Sequence, residues 1–202
     1  MRRGLRDSYR LLAPVYDLAV RSALARARAR SVARLQRRSR AEVLVAGIGT
    51  GLDLPLLPPM HRYVGLDLTR AMLARAAARR GALDIGFVEG DAQALPFAEA
   101  SFDTVLMHLI LAVVPRPARC LAEMARILRP GGRVLLFDKF LRPGERAWLR
   151  RALNPVARRI ATRTDVVFEE VLAGVPGLRL LSDEPALARG WFRLIELEKT
   201  LV

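Results

Sequence analysis

The chain has 202 residues, 52% of them hydrophobic, which suits one α/β domain with a substantial core and excludes disorder over most of the length. A single cysteine, Cys120, excludes an intramolecular disulfide and any cysteine-cluster metal site. The net charge is +14, and twelve arginines against Asp7 and Asp17 put most of it in residues 1–40, which points to a local anionic partner such as a membrane surface, a nucleic acid or a phosphorylated substrate.

The basic N-terminus lacks the continuous apolar stretch of a signal peptide. On a helical wheel Arg26, Arg30, Arg34 and Arg37 share one side, with Leu18, Leu24, Val32 and Leu35 opposite and Arg21 and Arg28 intruding there. Two outcomes are open: a basic amphipathic helix on an anionic lipid surface, or a solvated arginine face over an ordinary core helix. From Ala41 onward short apolar runs alternate with helical patterns, as a parallel sheet with crossover helices requires. Strands are expected at Glu42–Ala46, Tyr63–Asp67, Ile85–Glu89, Phe102–His108, Arg133–Asp138, Leu178–Leu181 and Phe192–Lys199. Helices are expected at Thr69–Arg80 with Thr69 as N-cap, Arg116–Leu128, Glu145–Thr162 with Pro155 breaking or kinking it, and Val166–Ala173. Arg129-Pro130-Gly131-Gly132 reads as a helix stop and tight turn. The short connection before the last strand makes that strand antiparallel. The longest apolar run, Val105–Val114, is interrupted by His108 and is about half of the roughly 20 residues a membrane span needs.

The first strand runs straight into Gly47-Ile48-Gly49-Thr50-Gly51, where the backbone can turn sharply and a ligand can press on the main chain. Asp67 ends the second strand twenty residues after Gly47, where a carboxylate can accept both hydroxyls of a ribose. The glycine spacing differs from the dinucleotide pattern, and Asp53 close behind would repel a pyrophosphate. Asp91, after the third strand, can receive an adenine amino group.

The segments VLVAGIGTG, GLDLTRAMLARA, EGDAQALPFAEASFDTVLM and ILRPGGRVLLFDKF together resemble the successive motifs of the class I S-adenosylmethionine-dependent methyltransferases, over roughly residues 41–140. The resemblance implies a Rossmann-like, doubly wound, seven-stranded, mostly parallel sheet with an antiparallel last strand, spanning residues 1–202 as one domain. It implies S-adenosylmethionine as cofactor, with S-adenosylhomocysteine as product. Gly47, Gly49, Thr50 and Gly51 would then shape the pocket for its methionine part, Asp67 and Leu68 its ribose, Asp91 and Ala92 its adenine, with His108 beside the methionine end. Where the family often has an acid that holds the cofactor's ammonium group, this chain has Val45, so either weaker cofactor affinity or a substitute acid such as Asp53 is expected.

Within that family the chain looks like small bacterial phospholipid N-methyltransferases acting on phosphatidylethanolamine, through the segment Tyr9–Asp17, LAVVPRP and the C-terminal NPVARRIATRTD and GWFRLIELEK. Ubiquinone/menaquinone C-methyltransferases come next. The first likeness implies that Tyr9 and Tyr16 help close the pocket, that residues 1–40 and the region around 140–175 cover the acceptor, and that the protein is cytoplasmic and peripheral at the inner membrane face. His108 and Asp138-Lys139 depart from the phospholipid pattern. C- or O-methylation of a quinone precursor or other aromatic needs a base, and His108 at the carboxyl end of the fourth strand is the residue placed for it. Asp138 either meets a substrate cation or caps a turn; Arg163 and Asp165 either bind a headgroup or pair with each other. His61, Trp148 and Trp191 read as an exposed loop residue and packing or interface residues. No carboxylate cluster has metal-ligand spacing. A non-catalytic nucleic-acid-binding role for the basic arm is the reading from a different class.

Overall fold

The computed structural model describes residues 23–35, 40–141 and 166–201. Seven strands form one sheet: β1 (Glu42–Ala46), β2 (Arg62–Asp67), β3 (Asp84–Glu89), β4 (Phe102–His108), β5 (Leu128–Lys139), β6 (Leu178–Leu187) and β7 (Phe192–Lys199). Their order across the sheet is β3-β2-β1-β4-β5-β7-β6. The first five are parallel to one another, and β7 is antiparallel to both β5 and β6. The chain reverses direction beside β1, between β2 and β4, and there the carboxyl ends of the strands open a crevice.

Helices cover both faces: α1 over residues 23–32, α2 (Arg70–Ala77), α3 (Pro117–Ile127) and α4 (Phe168–Ala173). The strands are therefore apolar on both sides. Leu44, Val105, Val134 and Leu136 face α3 residues Leu121 and Met124. The intervening Val43, Val45, Leu106 and Leu135 pack with Val32 and Leu35, and with α2 residues Leu73 and Ala76. Val45 is thus a core side chain. Each such fully enclosed aliphatic side chain contributes about 1.5–3 kcal/mol. The Leu95-Pro96-Phe97 segment is tied to α3: Glu123 accepts the Leu95 N–H, and Arg126 donates to the Leu95 and Phe97 carbonyls.

Four elements differ from expectation by more than one residue at a boundary. β5 starts at Leu128, which pairs with Phe102 before a bulge; the ladder resumes at Arg133 and Thr104, so the Pro130-Gly131-Gly132 turn lies inside the strand. β6 runs on through Pro185 to Leu187, which an edge strand with two bulges tolerates. Helix α4 starts at Phe168 rather than Val166, because Val167 is held in an isolated bridge with Leu141. Helix α2 ends at Ala77. Thr69 does sit at its N-cap position, but the Thr69 hydroxyl donates to Asp67 instead of capping the helix. The expected helix Glu145–Thr162, together with Tyr9, Tyr16, Arg37, Trp148, Arg163 and Asp165, lies outside the described residues.

Candidate active site

The glycine loop is shaped by contacts that other residues would break. Gly47 has φ +66°, and a Cβ there would meet Ile110 Cδ1 at 2.5 Å; Gly51 has φ +79° and lies against the Ala76 backbone. Above Gly49 the space is open, with only the Gly47 carbonyl near. The Ile48 N–H donates to the Leu66 carbonyl, and the Gly49 N–H to the Asp67 carboxylate at 2.9 Å, so the loop is pinned to the end of β2. The second Asp67 oxygen accepts the Thr69 N–H at 3.0 Å.

A cavity of about 480 Å³ lies at this edge. Gly47, Leu66, Asp67, Leu68, Gly90, Asp91, Ala92 and Gln93 form one side; Leu109, Ile110, Val113, Val114 and Pro115 form the other. Its size falls in the range of small-molecule sites. Five residues expected from sequence are in the wall: Gly47, Asp67, Leu68, Asp91 and Ala92. Gly49 and Thr50 are half-buried in the loop beside it, and Gly51 is spent on packing against α2. Asp91 accepts the Gln93 N–H and side-chain amide, which together hold its carboxyl below the usual carboxylate range. The buried Gln93 also accepts the Arg116 N–H, fixing the start of α3.

Gln93, just after β3, and the wall residues of 109–115, just after β4, are not among the site residues expected from sequence; their position at the carboxyl edge is the signal that marks them. Leu109 adopts φ +59°, an uncommon state for leucine, and its N–H is tied to the Phe137 carbonyl. Asp138 fixes the rest of this wall. Its buried carboxylate accepts the Ala112 N–H at 3.0 Å and the Lys139 N–H at 2.8 Å. Burial pushes this carboxyl up to about 6, against the pull of those N–H groups. Asp138 is therefore the turn cap of the two roles open to it.

His108 is not part of the cavity wall. Its side chain is 2% exposed and is enclosed on the α1 side of the sheet, with Nε2 2.9 Å from Ser31 Oγ and Nδ1 3.0 Å from Asp53. Arg28 reaches the same Asp53 oxygen at 3.1 Å. Burial alone would raise the Asp53 carboxyl, but His108 and Arg28 beside it prevail and hold it below the usual range. Asp53, the candidate substitute acid for a ligand's ammonium group, already carries two partners. The arginine stripe of α1 is also engaged: Arg30 and Arg34 both pair with Glu184 of β6, and Arg34 donates to Ser182. Among the described residues no group of three or more His, Cys, Asp or Glu could hold a metal ion, and no helix is long and apolar enough to cross a membrane.

The profile of methyltransferase domains matches residues 44–136, the stretch from β1 to β5. A phosphatidylethanolamine N-methyltransferase of Cereibacter sphaeroides is 32% identical over 190 residues, covering 92% of this chain and 93% of that one. A demethylmenaquinone methyltransferase of Renibacterium salmoninarum is 38% identical over 123 residues, covering 57% of this chain and 50% of its own length. The crystal structure of an S-adenosylmethionine-dependent methyltransferase from Mesorhizobium loti superposes with a TM-score of 0.65 at 19% identity, over 84% of this chain and 95% of that one, a likeness of fold.

Proposed function

We propose that this chain, which belongs to the S-adenosylmethionine-dependent methyltransferases, N-methylates a phospholipid amine such as phosphatidylethanolamine. That it is an enzyme using S-adenosylmethionine follows from the family; the acceptor is the proposal. The observation that carries it is the end-to-end match to the phosphatidylethanolamine enzyme, which includes the regions before β1 and after β5. The match to the menaquinone enzyme covers only half of that protein. A cavity-wall histidine, which aromatic C- or O-methylation could use as its base, is also absent among the described residues.

The residues present fit the cofactor. The open space above Gly49 would take the methionine part, Asp67 and Leu68 would hold the ribose, and Asp91 and Ala92 the adenine. Bound there, S-adenosylmethionine supplies an electrophilic methyl group on a sulfonium. The protein's work is alignment, because the step is a direct displacement. The apolar wall Leu109–Val114 excludes water from the reacting end. An amine acceptor that arrives neutral would need no general base from the protein, and its surplus proton would leave to solvent. We assign Tyr9 and Tyr16 to closing the acceptor side, as parts of the cover formed by residues 1–40 in a single domain. The enzyme would work from the cytoplasm, peripheral to the anionic inner membrane face, with its remaining N-terminal arginines toward the lipid.

The test is methyl transfer from radiolabelled S-adenosylmethionine with two acceptors in parallel, phosphatidylethanolamine vesicles and a soluble naphthoquinol. Label in the extracted phospholipid supports the proposal. Label in the quinol alone overturns it and leaves the family assignment standing.

A further inference from the structure

Four polar side chains close a chain between α1 and the end of the glycine loop. Ser31 Oγ meets His108 Nε2; His108 Nδ1 and Arg28 Nε converge on one oxygen of Asp53, at 3.0 and 3.1 Å. Ser31, His108 and Asp53 are all buried. Burying such groups is costly unless each finds a partner: the serine–histidine contact is a hydrogen bond, Nδ1 and Nε approach Asp53 at ion-pair distance without hydrogen-bond geometry, and the convergence of three separate elements on one carboxylate is a specific arrangement. A carboxylate can only accept, so the Nδ1 that faces it keeps the ring's proton. Nε2 is then committed to the serine hydroxyl, and the ring has no nitrogen left for a substrate.

The cluster stands close to the ligand contacts. Asp53 follows Gly51 by two residues, and Gly49 of the same loop donates to Asp67 of the cavity wall. Ala27, one residue before Arg28, is packed with Phe137 and Leu194, so α1 is seated on the sheet at the same place. We infer that Ser31, His108, Asp53 and Arg28 form a latch by which α1 sets the glycine loop for the methyl donor. His108 is then a positioning residue acting through Asp53. This rests on the family membership and is independent of the acceptor.

The experiment uses the full chain with Ser31→Ala, Arg28→Ala and Arg28→Lys, and S-adenosylhomocysteine as the probe. Calorimetry should show affinity about tenfold weaker in the two alanine variants, the size expected for one lost buried polar contact, with Arg28→Lys recovering most of it. In methyl-transfer assays the KM for the donor should rise while kcat stays within about twofold. Unchanged affinity in both alanine variants overturns the latch, and so does a fall in kcat at unchanged donor KM. The wild type gives a readout that does not depend on any variant's folding. With only two histidines in the chain, the ¹⁵N imidazole spectrum should show a His108 ring protonated at Nδ1. A neutral ring protonated at Nε2 instead overturns the assignment.

Discussion

Two aspartates flank the glycine loop and have opposite fates. Asp67 is held by main-chain N–H groups of Gly49 and Thr69 and stands in the cavity wall. Asp53 is held by the side chains of His108 and Arg28 and is sealed under α1. Both sit at the carboxyl edge of the sheet, within a few residues of a glycine. Backbone donors orient a carboxylate without neutralising it, which leaves charge to offer a ligand. The Arg28 guanidinium, on the same carboxylate oxygen that faces His108, consumes that charge. Partner type, not residue type or distance along the chain, separates the cavity-facing acid from the fastening one.

Asp53→Ala should break that contrast most severely. It strands Arg28 and His108 in a buried site, and chemical denaturation should show a loss of about 3–5 kcal/mol. The pH dependence of the buried acids comes next and has opposite signs. Asp138 has a folded value raised to about 6 from 3.8. Its stabilising contribution is therefore fully present below pH 3.8 and is lost as pH rises through about 6, on the order of 3 kcal/mol for a wholly buried group. Asp53 is shifted down, so its contribution is present above the ordinary carboxylate value and is lost as pH falls below it. Urea melts from pH 3 to 7 should show Asp138→Asn removing the fall between pH 4 and 6, and Asp53→Asn flattening the acid limb.

Asp67→Ala sharpens the comparison from the ligand side. S-adenosylhomocysteine binding should weaken about 100-fold, two charge-assisted contacts being lost, while the melting temperature moves far less than in Asp53→Ala. The smallest effect belongs to Arg30→Ala. Arg30 and Glu184 are about half exposed, and stability should stay within about 0.5 kcal/mol of the wild type. Vesicle co-sedimentation of the same variant tests whether the α1 arginines serve lipid or Glu184. Unchanged binding to anionic vesicles assigns Arg30 to the protein surface, and weakened binding assigns it to the membrane.

The alternation of apolar runs and helical patterns from Ala41 onward was enough to indicate a parallel sheet with crossover helices, and the resemblance of the motifs to the methyltransferases implied the rest of the fold. It also determined five residues of the cavity wall. Bulges, the early start of β5 and the far end of β6 escaped, since they depend on how Phe102 meets Leu128 and how an edge strand is left unpaired. Tertiary structure alone decided the partners of His108, Asp53 and Asp138. A titratable residue at the carboxyl end of a strand looks the same in sequence whether it faces a cavity, a helix or a turn. Its chemistry is set by partners from distant positions: Ser31 lies 77 residues from His108, and Ala112 lies 26 from Asp138. Local pattern carries periodicity and turn chemistry, but burial and charge pairing exist only once the chain has closed on itself.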